Sequence, residues 1–189
     1  MTKMQHDVLK NPPTVLILAS GRGERFLASG GATHKLQALL GAKTVLQHTL
    51  DAVQASGLPW HLEDAGHPGM GDSIAAAVSK TQDANGWLIL PADLPLVQPA
   101  TLLQVAQALQ TNAAAFPCFV KDAAEQRGHP VGFCASCKQD LLNLTGNTGA
   151  SGVIKAYNAM KLVVSDVGVV TDIDTVDDLA RAERLLNAY

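Results

Sequence analysis

The sequence is poor in cysteine. It has three, Cys118, Cys134 and Cys137, and an odd count builds no disulfide framework and fits a reducing cytoplasm. Cys134 and Cys137 form one C-x-x-C in FCASCKQ. A four-ligand zinc site normally needs two such pairs or histidines at set spacing, so burial as small apolar side chains is the simpler reading. Charge is also sparse, at 16% of residues, and the formal net charge is -3. The basic surplus of a dedicated nucleic-acid binder is missing. No apolar run reaches the roughly 18 residues that span a bilayer, and the start shows no secretory pattern, so no membrane role is expected. Repeats and low-complexity stretches are absent as well.

What is present suits one α/β domain. The 189 residues are 47% hydrophobic, enough for a sizeable core. The polar start, MTKMQHDVLKNPP, reads as a flexible arm over residues 1–13, with a single domain over 14–189. Apolar runs then alternate with amphipathic ones, which predicts a mostly parallel central sheet flanked by helices. Strands are expected at Thr14–Ser20, Gly86–Pro91, Ala113–Phe119, Val131–Cys134 and Met160–Val164. Their unbroken hydrophobicity suits strands covered on both faces. Helices are expected at Thr44–Ser56, Asp72–Lys80, Ala100–Gln110, Ser136–Leu144, Ser151–Tyr157 and Val176–Asn187. Thr175 would cap the last, with Asp178 three residues on.

The chemistry gathers after the first strand, in LILASGRGERF (Leu16–Phe26). Ligands of open α/β sheets bind beyond the carboxyl ends of strands. Gly21 and Gly23 let backbone N–H groups approach an anion, and Arg22 and Arg25 add charge. Lys35 comes after a loop, Leu27–His34, whose small residues suggest flexibility, and it can fold back over the same anion. This equipment suits a triphosphate. The stretch fits neither the Walker A spacing nor the dinucleotide G-x-G-x-x-G, since Phe26 stands where each needs glycine.

Asp93 comes after GWLILPA, where a strand-end carboxylate is placed to hold Mg²⁺. Asp172 and Asp174 share one face of an extended segment. Either could complete a metal site, Asp172 being preferred because Asp174 crowds a helix start. Gly71, Asp72 and Ser73 precede a helix that Ser73 could cap.

Five ordered motifs carry a resemblance: LASGRGERF with Lys35 beyond it, GMGDSIAAAV, LPADLPLV, RGHPVGF and DIDTVDDL. Together they resemble the MobA-like nucleotidyltransferases, most nearly the molybdenum cofactor cytidylyltransferase (MocA-like) branch. The resemblance implies a Rossmann-like nucleotidyltransferase fold, somewhat truncated, and a cytoplasmic enzyme. That enzyme would move a nucleoside monophosphate from an NTP to a phosphate acceptor such as molybdopterin, using Mg²⁺ and releasing pyrophosphate. By the same resemblance Ser20, Gly21, Arg22, Gly23, Gly71 and Ser73 bind nucleotide. Arg25, Lys35 and Asp93 act in catalysis, Asp93 and Asp172 hold the metal, and His129 faces the acceptor. DIDT favours CTP over GTP, because the GTP-using branch commonly has asparagines there.

Three departures stand out. GNTGAS has Asn147 and Ser151 where the family usually has aspartate and arginine, which removes an anchor for an anionic acceptor. Residues 56–69 are short and leave room for one strand near Trp60–Glu63. The loop before Lys35 is long. Two other classes compete: an NAD(P)H-dependent oxidoreductase of the same family, and a nucleotide-binding module without turnover.

Overall fold

Alternation inside apolar runs explains the architecture of this computed structural model, which describes Leu9 and residues 11–188. Most of the flexible arm expected over residues 1–13 lies outside the described residues, although Leu9 packs against the core and Pro13 is buried. Strand β1 (Thr14–Leu18) sends Val15 and Ile17 to one face and Leu16 and Leu18 to the other. Strand β5 (Gly86–Pro91) repeats the pattern, with Leu88 and Leu90 opposite Trp87 and Ile89. Both faces are therefore apolar, as a sheet buried on two sides requires.

The central sheet has the order β4-β1-β5-β8-β6-β7, with β9 paired to β6. Here β4 is Trp60–Glu63, β6 Ala114–Lys121, β7 Ala124–Arg127, β8 Val131–Cys134 and β9 Met160–Val164. Strands β4, β1, β5, β6 and β9 run one way, and only β8 and β7 oppose them. A small ribbon, β2 (Leu39–Leu40) with β3 (Lys43–Thr44), stands apart. The segment 56–69 supplies a single strand, β4, as its brevity suggested.

Helices α2 (Val45–Ser56), α4 (Pro99–Ala108) and α7 (Val176–Leu186) cover the Val15–Ile17 face. Helices α3 (Met70–Lys80), α5 (Lys138–Leu142) and α6 (Ser151–Ala156) cover the other. Thr44 caps α2, its hydroxyl accepting from Gln47 N–H at 3.1 Å. Thr175 and Asp178 form a reciprocal capping box on α7. The cysteines are free; Cys118 and Cys137 are buried, and burial pushes the Cys137 thiol up to about 12.

Besides the β2–β3 ribbon, which had no counterpart among the expected strands, two elements near the cleft depart from expectation. Strand β7 is new: AEQR is mostly polar and exposed throughout, so it has no apolar signal to read. It is set by the turn at Asp122 and Ala123, both at positive φ (50° and 65°), as a two-residue hairpin demands. Helix α1 (Glu24–Ala28) takes in the start of the loop expected to be flexible. Phe26, buried in the core, anchors the turn beyond α1: its carbonyl accepts from Gly31 N and from Ser29 Oγ, and Gly31 packs on its ring. Among the described residues no helix is long and apolar enough to cross a membrane.

Candidate functional site

Strand order arranges the site. The loops after β1 and β5 sit side by side at the carboxyl ends of parallel strands. The loop after β4 lies on one flank, and β7 and β8 lie on the other. Together they line a cleft of about 810 Å³. Its floor is Ser20–Gly23, Arg25, Lys35, Asp93, Asp172 and Asp174; one flank is His67–Met70 with Ser73 and Asn147; the other is Gln126, Arg127 and His129.

Gly23 needs its lack of side chain: its φ is 66°, and a Cβ would meet the His34 ring at 3.1 Å. That ring ties the loop together. His34 Nε2 donates to Gly21 O at 2.8 Å, and its Nδ1 accepts from Leu36 N–H at 3.3 Å. The second bond starts the short 3₁₀ turn Lys35–Gln37, so the long loop still delivers Lys35 to a fixed place.

Lys35 is the centre of the charge cluster. Its Nζ donates to Asp93 Oδ2 at 2.6 Å and to Asp174 Oδ1 at 2.8 Å. Arg25 Nη1 donates to Asp174 Oδ2 at 2.7 Å. Burial alone would lower the Lys35 pKa; the Asp93 charge and the bonds to both carboxylates outweigh it and raise it. Asp174, the less favoured aspartate in the sequence, is thus the one joined to the cations, while Asp172 stands exposed on the cleft wall. Ile173 N–H donates to Asp93 O at 3.0 Å and stitches this segment to the Asp93 loop. Asp178 has a structural task instead: its Oδ2 accepts from the N–H groups of Asp174 and Thr175.

Asp93 Oδ1 and His129 Nδ1 are buried without a hydrogen-bond partner among the described residues. Unpaired buried polar atoms are costly, so both positions ask for a ligand. Burial holds His129 below the usual histidine value, against the neighbouring Ile89 backbone and the Asp93 charge, which favour the proton. An unpaired Asp93 oxygen in the cleft that exposed Asp172 also lines fits a hard divalent cation. Among the described residues no group of three His, Cys, Asp or Glu side chains holds a metal unaided, so water and phosphate oxygens would complete its shell.

Ser20 and Ser73 meet hydroxyl to hydroxyl between the floor and α3. Ser73 lies inside the helix, not before it: Gly69 is the N-cap residue, and Ser73 Oγ donates back to Gly69 O at 3.2 Å. Gly71 stands apart from the cleft. Its N–H donates to Gly146 O at 2.8 Å, and a Cβ would meet backbone atoms of Thr145 and Thr148 at 2.7 Å. It is an intimate packing position for the GNTG loop.

Sequence reasoning passed over His34, His67 and Arg127. Arg127 opens the RGHP motif and lines the cleft, yet its side chain has no ion pair or hydrogen bond among the described residues. Of the other cations of the cleft, Arg25 is bonded to Asp174 and Lys35 to two aspartates, while exposed Arg22 lies 3.6 Å from Glu24.

Residues 51–162 match the MobA-like NTP transferase domain, and the chain belongs to that family. Its activity is of the nucleotidyl-transfer type. No curated protein matches the chain. Solved structures share the fold. Rv0371c from Mycobacterium tuberculosis H37Rv aligns with a TM-score of 0.75 at 22% identity, covering 94% of this chain and 100% of that one. A nucleotidyl transferase from Methanothermobacter thermautotroptrophicus gives 0.74 at 18%, covering 95% and 100%. Molybdopterin-guanine dinucleotide biosynthesis protein A from Archaeoglobus fulgidus gives 0.67 at 18%, covering 93% and 100%.

Proposed function

We propose that the chain transfers a nucleoside monophosphate, CMP by preference, from a nucleoside triphosphate to a phosphate-bearing acceptor of the molybdopterin class, with Mg²⁺, and releases pyrophosphate. The observation that carries this is the Arg25–Asp174–Lys35–Asp93 cluster with one Asp93 oxygen buried and unpaired. One cleft holds cations for a polyphosphate and carboxylates for its metal.

The residues divide the work. Backbone donors of Ser20–Gly23 and the charges of Arg22, Arg25 and Lys35 hold the triphosphate. Asp93 and Asp172 would hold Mg²⁺. When bound, it neutralises charge on the phosphates and on the departing pyrophosphate. An oxygen of the acceptor's phosphate forms the new bond to the α-phosphorus, and the bond to the pyrophosphate oxygen breaks. The attacking oxygen is already ionised, so no protein base is needed, and positioning with electrostatics supplies the rate. His129 and Arg127 lie on the flank opposite His67–Met70, which leaves them for the acceptor. DIDT (Asp172–Thr175) supports CTP over GTP. Manganese is named in one structure of Rv0371c, which supports a divalent metal here too.

The test is pyrophosphate release with each of the four NTPs, Mg²⁺ and purified molybdopterin cofactor. Release with CTP that needs both acceptor and metal is expected. Absence of release with every NTP, while NADPH is oxidised in the presence of a dye acceptor, would overturn the reading.

A further inference from the structure

One buried ionic group lies outside the phosphate and metal machinery. Glu63 ends β4 with a fully buried side chain. Lys80 Nζ donates to its two oxygens at 2.9 and 2.8 Å. His67 Nε2 lies 3.0 Å from Oε1, and His61 Nε2 lies 3.2 Å from Oε2. Burial opposes the charge on Glu63, but these partners hold it ionised, with a pKa down at about 2. An ionised carboxylate only accepts. The proton on His67 is therefore on Nε2, and in the neutral ring Nδ1 is an acceptor.

His67 alone of the two histidines lines the cleft. Its Nδ1 has no partner among the described residues and is not one of the buried unpaired atoms, so it is open to a ligand. It stands beside Met70, a half-exposed apolar side chain on the same wall. This flank adjoins the phosphate floor on the side away from Arg127 and His129. With the Arg127 and His129 flank left for the acceptor, this flank is the one left for the base of a nucleotide whose phosphates lie on Ser20–Gly23.

We infer that His67, oriented by Glu63, reads the nucleobase by accepting a hydrogen bond from an exocyclic amino group. The site then selects cytosine over uracil, because uracil presents a carbonyl oxygen where cytosine presents NH₂, and two acceptors facing each other repel. This rests on the nucleotidyl-transfer function proposed for the cleft. Glu63 is a positioning residue here. His67 is the specificity residue.

Calorimetric titration with CTP, UTP and inorganic tripolyphosphate, all with Mg²⁺, tests the inference. The parent binds CTP more tightly than UTP. His67→Ala lowers that ratio about tenfold, the value of one hydrogen bond, and leaves tripolyphosphate affinity unchanged. His61→Ala removes an equivalent partner of Glu63 outside the cleft and keeps the ratio, which separates base reading from damage to the ion cluster. Long-range proton–nitrogen spectra give an independent readout: the His67 ring shows the Nε2–H form, and its Nδ1 resonance moves with CTP and not with UTP. An unchanged ratio in His67→Ala, a parent preferring UTP, or an Nδ1–H ring overturns the inference while leaving nucleotide binding standing. Failure of both nucleotides and tripolyphosphate to bind removes the nucleotide reading and this inference with it.

Discussion

Lys35 Nζ and Asp93 Oδ2 are 2.6 Å apart, so the cation suited to a phosphate and the carboxylate suited to its metal neutralise each other in the free protein. Asp174 repeats the arrangement with Arg25. Opposite charges held ready for opposite ligands explain how a partly buried site keeps its charges paired before nucleotide and metal arrive. Nucleotide and metal are then expected to bind together, since each takes a partner from the other.

Replacing Lys35 tests the first half of that exchange. Lys35→Ala weakens triphosphate binding at least tenfold and monophosphate binding little, measured by calorimetry. It also leaves Asp93 and Asp174 facing each other without their shared cation. A loss of about 1–3 kcal/mol in urea unfolding is expected. The raised Lys35 pKa gives a sign for alkali: the stabilisation is full below about 10.5 and is lost as pH rises past the folded value. Equal triphosphate affinity in mutant and parent would take Lys35 out of the site.

Asp93→Asn tests the second half. The amide keeps the shape but loses the charge that draws Mg²⁺. Turnover should fall on the order of 100-fold or more. The increase in melting temperature given by CTP with Mg²⁺ should shrink to that given by CTP alone. Circular dichroism should be unchanged, because the amide oxygen can still accept from Lys35 and the backbone bond from Ile173 N–H stays. A full metal-linked shift in the mutant would move the metal elsewhere.

Much of this site was legible because loops after parallel strands carry few jobs. Gly21, Gly23, Arg25, Lys35 and Asp93 stand where strand ends meet, and strand ends are marked by apolar runs that stop. The illegible parts depend on distance. Asp174 looked like a helix-start acid; only folding brings it to Lys35, 139 positions away, and hands the capping task to Asp178. Gly71 looked like a ligand glycine because it sits in a glycine motif, yet the GNTG loop packs on it. Strand β7 has no apolar periodicity, so Arg127 carried no strand to place it. Glu63 sits in a short strand whose burial comes from pairing to β1, which composition does not reveal.

The two kinds of glycine can be told apart by adding one methyl group. Gly71→Ala drives a Cβ into three backbone atoms at 2.7 Å, with no flexible side chain to yield. A loss of about 1–3 kcal/mol is expected. Gly152, inside α6, has nothing within 4 Å of such a Cβ. Gly152→Ala should stabilise by roughly 0.5–1 kcal/mol, because alanine loses less freedom in a helix. Denaturant midpoints of the two mutants should move in opposite directions.

Arg127 bears on the acceptor. Ser151 begins α6 without a charge, so an anionic acceptor needs another anchor. Arg127 is the uncommitted cation of the cleft among the described residues, next to a histidine with an unsatisfied nitrogen. Arg127→Ala should raise the KM for a phosphate-bearing acceptor about tenfold or more while the KM for CTP stays within twofold. Arg127→Lys should recover part of the loss, since charge survives but the two-pronged grip does not. Equal effects on both substrates would place Arg127 in general structure instead.

Acid should reveal Glu63. Its folded pKa, about 2, lies below the ordinary 4.5. A depressed carboxylate contributes stability that is present above its unfolded value and is lost as pH falls through the folded one. The window is therefore roughly pH 4.5 down to 2, and urea midpoints measured across it should fall steeply in the parent. Glu63→Ala removes the buried charge and should cost about 3 kcal/mol at pH 7, because it strands a lysine and two histidines built to face a carboxylate. Lys80→Met should cost less, since Lys80 is half-exposed and its two histidine neighbours still satisfy Glu63. In Glu63→Ala the acid-induced fall over that window should become shallower, because the most depressed carboxylate is gone while Asp178 and Asp51 remain. Should the mutant and parent lose stability in parallel between pH 4.5 and 2, the acid sensitivity would belong to other carboxylates, and Glu63 would titrate in the folded protein as it does in the unfolded chain.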